Sequence, residues 1–282
     1  MIYLILSILS STVIFVFFKL FSKYKVNTLQ AIVVNYFTAF ICGLLLYKGD
    51  IKISYILDSD WLYVAIGLGL LFITIFNIMA LTAQKNGLSV VSVATKMSVI
   101  IPVLFGIYVY NESAGYQKII GILLALIAVI LTALKPKDKA VISKFSYLPI
   151  LLFLGSGIID TSVNHFAPKD NLTLFLSIIF AMAGLAGIFI LLFKHINQKI
   201  SLKANSLPFG IALGIVNYCS LYFLLKALQV EGNESSTIFT INNVAIIAIS
   251  TLTGLVLFKE RISIKNWIGV AIALISIILV TL

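Results

Sequence analysis

Mostly apolar stretches, each about as long as a bilayer is thick, follow one another through this chain with only short polar loops between them. A helix crossing the roughly 30 Å hydrocarbon core needs about 20 such residues. Ten stretches qualify or come close: 2–21, 28–47, 61–83, 88–110, 119–134, 147–164, 172–193, 207–228, 236–258 and 267–282. Of the residues, 61% are apolar and 11% charged, against about 25% charged in a soluble globular domain. A water-soluble fold of this length could not hide so much apolar surface. The expected class is therefore an all-α integral membrane protein with ten transmembrane helices. The first stretch starts at residue 2 without a basic leader, so it reads as a spanning helix rather than a cleaved signal. Trp61 and Trp267 stand at span starts, where indole rings favour the interface.

The net charge of +10 does not point to nucleic acid, because the basic residues are scattered over loops. The odd-numbered loops carry 14 of the 20 lysines and arginines, the even-numbered loops 5, and Lys96 lies inside a span. Basic residues accumulate on the cytoplasmic side, so this bias puts both termini outside the cell. The charge reports orientation in the membrane, not an acidic partner.

A second pattern divides the chain. Gly106, Glu112 and Gly121 recur as Gly254, Glu260 and Gly269, both sets reading G-x5-E-x8-G at one offset of 148 residues. Self-similarity at a fixed offset marks a duplicated unit: 1–134, a basic linker 135–146, and 147–282. Each unit holds five spans, an odd number, so the second copy enters the membrane upside down. The loop with Glu112 is poor in basic residues and the loop with Glu260, FKERISIK, is rich in them, as inversion requires. Inverted repeats are a common plan for secondary transporters, with substrate near the midplane between the halves.

Two further details join the doubled motif: Pro102 four residues before Gly106, and F-x3-A-L at Phe76, Ala80 and Leu81, repeated at Phe223, Ala227 and Leu228. Together they resemble the EamA branch of the drug/metabolite transporter superfamily over essentially the whole chain. The resemblance implies a small-molecule exporter or importer of the cytoplasmic (inner) membrane, with export the expected direction, and cytoplasmic termini, against the lysine bias. Ser250 stands where the second copy of the motif would have proline, so that copy is expected to lack the kink that Pro102 imposes.

Lys96 is the sharpest single residue. It lies eight residues into the fourth span, about 12 Å deep at 1.5 Å per residue, where a charge costs roughly 2.5–3.5 kcal/mol on insertion scales. It reads as a cation for a substrate carboxylate or phosphate, or as a group that releases its proton during the cycle; snorkelling or a fixed ion pair is the structural alternative. Asp160 in the sixth span is its expected partner, at a depth about 8 Å greater by the same rise. Asn35 and Tyr36, Asn217 and Tyr218, and Asn242 and Asn243 form a second tier, since amides within lipid need partners and face the bundle interior. Glu112 and Glu260 read as structural, each capping the short helix that follows it. Gly106, Gly121, Gly254 and Gly269, with Gly210 and Gly214, read as close-packing positions.

Metal and cofactor chemistry is not expected. His165 and His195 both sit at span ends, Cys42 and Cys219 read as small packing residues, and no phosphate-binding glycine loop occurs. The expected function is secondary transport of a small metabolite, amino acid-like solute or drug by alternating access. The substrate would carry an acidic or zwitterionic group, and the drive would be a proton gradient or the solute's own. The short fifth and tenth spans would brace the outside or form a homodimer contact. A non-transporting membrane subunit or sensor, and an intramembrane enzyme built on Asp160 with Lys96, are the alternatives.

Overall fold

A computed structural model describes residues 1–49, 53–109, 115–133, 147–166, 168, 171–198, 203–228 and 235–281. Glu112, Lys52, Lys169 and the linker 135–146 lie outside the described residues. Twelve helices follow in order among them: α1 (Ile2–Lys23), α2 (Thr28–Leu46), α3 (Ile53–Leu57), α4 (Trp61–Asn86), α5 (Leu88–Met97), α6 (Ile100–Val109), α7 (Tyr116–Ala133), α8 (Leu148–Phe166), α9 (Leu172–Gln198), α10 (Ser206–Leu228), α11 (Ser235–Phe258) and α12 (Ile264–Thr281). The chain is an all-α membrane protein. Among the described residues seven stretches, counting α5 and α6 as one, are long and apolar enough to cross a bilayer, and 116–132, 148–163 and 264–280 are shorter apolar helices. Large apolar side chains such as Leu45, Tyr63, Phe189 and Val256 are exposed, a surface suited to lipid.

Helix ends follow local rules. Lys25 takes a left-handed φ of 53°, which lets the Val26 amide donate to the Phe21 carbonyl at 2.9 Å and close α1. Asn27 then caps α2, its side chain accepting from the Gln30 amide at 3.2 Å. Ser263 caps α12 by accepting from the Asn266 amide at 3.2 Å. The five-residue α3 was not anticipated, because so short a helix has no periodic signal.

The fourth apolar stretch is not one helix. It breaks at Ser98 and Val99, between α5 and α6. Pro102 has no amide hydrogen to donate to the carbonyl four residues back, and its ring crowds that carbonyl. The Ser98 carbonyl instead accepts from Ile101 at 2.9 Å, a tighter turn that ends one helix and starts the next. At the matching position Ser250 keeps its amide hydrogen, and α11 runs unbroken from Ser235 to Phe258.

The chain clusters into two compact units, Met1–Lys19 with Ile78–Ile158 and Cys219–Leu282 (unit 1), and Leu20–Asn77 with Ile159–Tyr218 (unit 2). In unit 1, α7 and α12 are packed along one another. A Cβ at Gly121 would lie 2.6 Å from Val280 Cγ2 and 3.0 Å from the Val280 nitrogen; one at Gly269 would lie 2.8 Å from Thr132 Cγ2. These contacts are reciprocal: 121 and 269 differ by the same 148 residues as 132 and 280. Ser276 donates to the Gly121 carbonyl at 2.7 Å and Asn266 to the Thr132 carbonyl at 3.3 Å. Around this pair Val93, Met97, Ala125, Ala128, Ile247, Ala273 and Ile277 form a buried core. In unit 2, α2 packs against α9, with Gly184 of α9 against the Phe37 ring.

Gly121→Val should therefore destabilise the protein by about 1–3 kcal/mol through overpacking, read as a lower unfolding temperature in detergent. Gly67 has open space around it, so Gly67→Ala should be neutral or stabilising by up to about 1 kcal/mol. An unchanged melting temperature in Gly121→Val would refute the close α7–α12 approach.

Candidate functional site

Unit 1 contains the helix break and the intramembrane lysine. α5 starts from Gly87, whose φ of 104° suits glycine and which offers no side-chain cap. A remote residue supplies the cap: Glu260 Oε2 accepts from the Leu88 amide at 2.9 Å. Its other oxygen pairs with Lys19 Nζ of α1 at 2.7 Å. The same Nζ lies 3.4 Å from the Ala83 carbonyl. Two glycines make room for the carboxylate, since a Cβ would come within 2.7 Å of Oε2 at Gly87 and within 2.6 Å at Gly254. Lys259, at φ 49°, turns the chain so that the Glu260 amide folds back onto the Gly254 carbonyl at 3.0 Å.

This corrects the expected role of Glu260. Its carboxylate caps α5, not the α12 that follows it, because α12 already has Ser263 and because the gap at Gly87 admits a carboxylate. Glu260 remains structural, but it joins α1, α5 and the α11–α12 turn.

At the other end of α5, Lys96 is half-buried in the last turn. Here the unmet carbonyls of a helix C-terminus favour a cation. Thr95 donates to the Val91 carbonyl at 2.7 Å, and Ser98 donates to the Thr95 carbonyl, side-chain bonds of the kind that bend helices. Asn242 and Asn243 lie on α11, which packs against α5, and both are buried. The Ser7 hydroxyl lies 3.1 Å from the Ser220 carbonyl and 3.3 Å from Asn242 Oδ1, so one proton serves both. Ser11 and Ser220 hydroxyls meet at 2.7 Å. The serines on α1 and α10 were missed in the sequence, where isolated serines in apolar runs carry no pattern.

Unit 2 holds the other expected residues. Asn35 is fully buried on α2, and its Oδ1 has no hydrogen-bond partner among the described residues. Tyr36 is equally buried; its hydroxyl donates to the Phe72 carbonyl at 2.8 Å, and its ring lies against Phe76 and Phe180 with centroids 5.4 and 6.0 Å away. Gly210 and Gly214 bring α10 onto α2, where a Cβ would come within 2.6 Å of the Ala31 and Asn35 carbonyls. Tyr218, buried, has its ring beside Gly43. Asn217 is half-buried and Asp160 is exposed on α8. Thus Lys96, Asn242 and Asn243 belong to unit 1, and Asn35, Tyr36, Asp160, Asn217 and Tyr218 to unit 2.

Tyr36→Phe should lower stability by about 0.5–1.5 kcal/mol, the net worth of one hydrogen bond. Chemical denaturation in detergent checks this; a variant as stable as the parent would show the hydroxyl contributes nothing there.

Comparison with known proteins agrees with this architecture. The sequence profile of the EamA-like transporter family matches residues 1–134. An uncharacterized protein of Haemophilus influenzae is 31% identical over 283 residues, covering 97% of this chain and 95% of that protein. A protein of known crystal structure, 16% identical, superposes with a TM-score of 0.54 over 97% of this chain and 96% of that one, a likeness of fold.

Proposed function

This chain belongs to the EamA-like transporter family, and we propose that it is a secondary transporter of the inner membrane, exporting a small metabolite, amino acid-like solute or drug by alternating access. The observation that carries the reading is Lys96 in the last turn before the break at Ser98 and Val99. Non-helical backbone at membrane depth is tolerated where it is buried in protein or lines a wet cavity, and discontinuous helices build the substrate sites of many transporters. A lysine there suits a solute with a carboxylate or phosphate. Asn242 and Asn243 share unit 1 with Lys96 and are the polar residues from which further ligands are drawn there; Asp160, Asn35, Tyr36, Asn217 and Tyr218 are the candidate ligands of unit 2.

The same reading has ten crossings in two five-span repeats, 1–134 and 147–282, inserted in opposite senses. The reciprocal contacts of Gly121 with Val280 and Gly269 with Thr132 support it, because a two-fold relation between copies generates such pairs. The loop lysines support termini outside the cell.

Lys96→Ala should lower transport of an acidic solute about tenfold or more, the scale of a lost charge-assisted contact, in flux assays normalised to folded protein. Retention of transport by Lys96→Arg marks a fixed cation, and its loss marks proton release. Unchanged uptake and export of every responsive solute in Lys96→Ala sinks the site. Orientation is tested separately: a C-terminal reporter that fluoresces only in the cytoplasm should stay dark, and a bright one reverses the assignment.

A further inference from the structure

The turn at Ser98 and Val99 separates α5 from α6. In an unbroken helix the hydrogen-bond ladder would fix the register of residues 88–97 from the residues beyond. Here the ladder stops at Ser98 and Val99, so the position of α5 depends on its own packing and on what holds its first turn. Among the described residues, Glu260 holds that turn with a side chain from far along the chain. Glu260 accepts from the Leu88 amide at 2.9 Å and pairs with Lys19 at 2.7 Å, while its own amide is bound to the Gly254 carbonyl. The carboxylate is therefore held from two sides, by Lys19 and by its own backbone turn, before it meets α5. Both members of the ion pair are well covered, their side chains 22% and 11% exposed, so the contact is less diluted by solvent than a surface pair.

We infer that Glu260 is a positioning residue: by holding the first turn of α5 to α1 and to the α11–α12 turn, it sets where the other end of α5, with Lys96, lies in unit 1. α5 has ten residues and is about 15 Å long, so a shift or tilt at Leu88 is carried to Lys96 with little loss. The charges also agree, a carboxylate at the amide end of α5 and an ammonium at its carbonyl end, each complementing the helix dipole. The geometric part stands on these contacts alone. The consequence for transport rests on the reading of Lys96 as a transport residue.

The test separates the two. In protein carrying Cys42→Ala, Cys219→Ala and Lys96→Cys, a small water-soluble maleimide reports the reactivity of the thiol at position 96. Adding Glu260→Ala should raise its modification rate about fivefold, the scale of a lost helix cap. Glu260→Gln should fall between, since its amide oxygen still accepts from Leu88 without pairing with Lys19; it also serves where Glu260→Ala does not fold. A rate unchanged in both folded variants overturns the inference. So does an equal rise at a thiol introduced by Ser276→Cys in the α7–α12 pair, which would mean general loosening. With Lys96 restored, Glu260→Ala should lower the maximal transport rate per folded molecule. If the thiol responds as expected but Lys96→Ala transports normally, the positioning role stands and the transport reading of Lys96 falls.

Discussion

A helix that begins at a glycine cannot cap itself, and α5 begins at Gly87. Its first-turn amides need an acceptor, and in the low-dielectric surroundings of a membrane protein an unmet amide is costly. Glu260 meets that need with a charged oxygen, a bond stronger than a neutral one, and Lys19 neutralises the charge that does so. None of the three groups is well placed without the others. The two glycines of this node belong to the same arrangement, because a side chain at Gly87 or Gly254 would occupy the space of the carboxylate. The Gly254 and Glu260 of the G-x5-E motif are thus spaced for a turn that delivers an acid to a neighbouring helix.

The remaining glycine of the motif has a different task. Helices in lipid gain little from burying apolar surface against each other, and close packing takes over. Gly121 and Gly269 let α7 and α12 approach until backbone polar atoms come within reach of side chains, and Ser276 and Asn266 bond to carbonyls across the contact. Hydrogen bonds of this kind hold two short helices that have little length over which to pack. The second copy of the motif therefore encodes a helix cap at its centre and a helix contact at its end.

Hydropathy made most of the fold legible, since in a bilayer an apolar run of the right length has few alternatives to a helix. Pro102 announced the break, and Ser250 its absence in α11. What the sequence hid is whatever depends on residues distant in the chain. Glu260 and Leu88 are 172 positions apart, and no periodicity links them, so the acid was assigned to the nearer helix α12. The one available clue was the missing cap at Gly87. The serines at positions 7, 11 and 220 escaped for the same reason. Among the candidate ligands, Lys96 was conspicuous by its cost, whereas the commitment of the Tyr36 hydroxyl to Phe72 became visible only with the packing of α2 on its neighbours.

The difference between α5–α6 and α11 is physical as well as formal. Where proline removes a donor, the chain relaxes by breaking, and the Ser98 carbonyl finds Ile101 instead. Where serine keeps the donor, α11 runs unbroken, but the Ser250 and Thr251 hydroxyls are buried without a hydrogen-bond partner among the described residues. A buried, unmet hydroxyl costs about 1–3 kcal/mol. Serine and threonine hydroxyls can bond to a carbonyl one turn back and bend the helix as they do so, as Thr95 and Ser98 do at the end of α5. The two matching stretches thus differ by one donor: the chain breaks at Ser98 and Val99, and the helix runs on through Ser250.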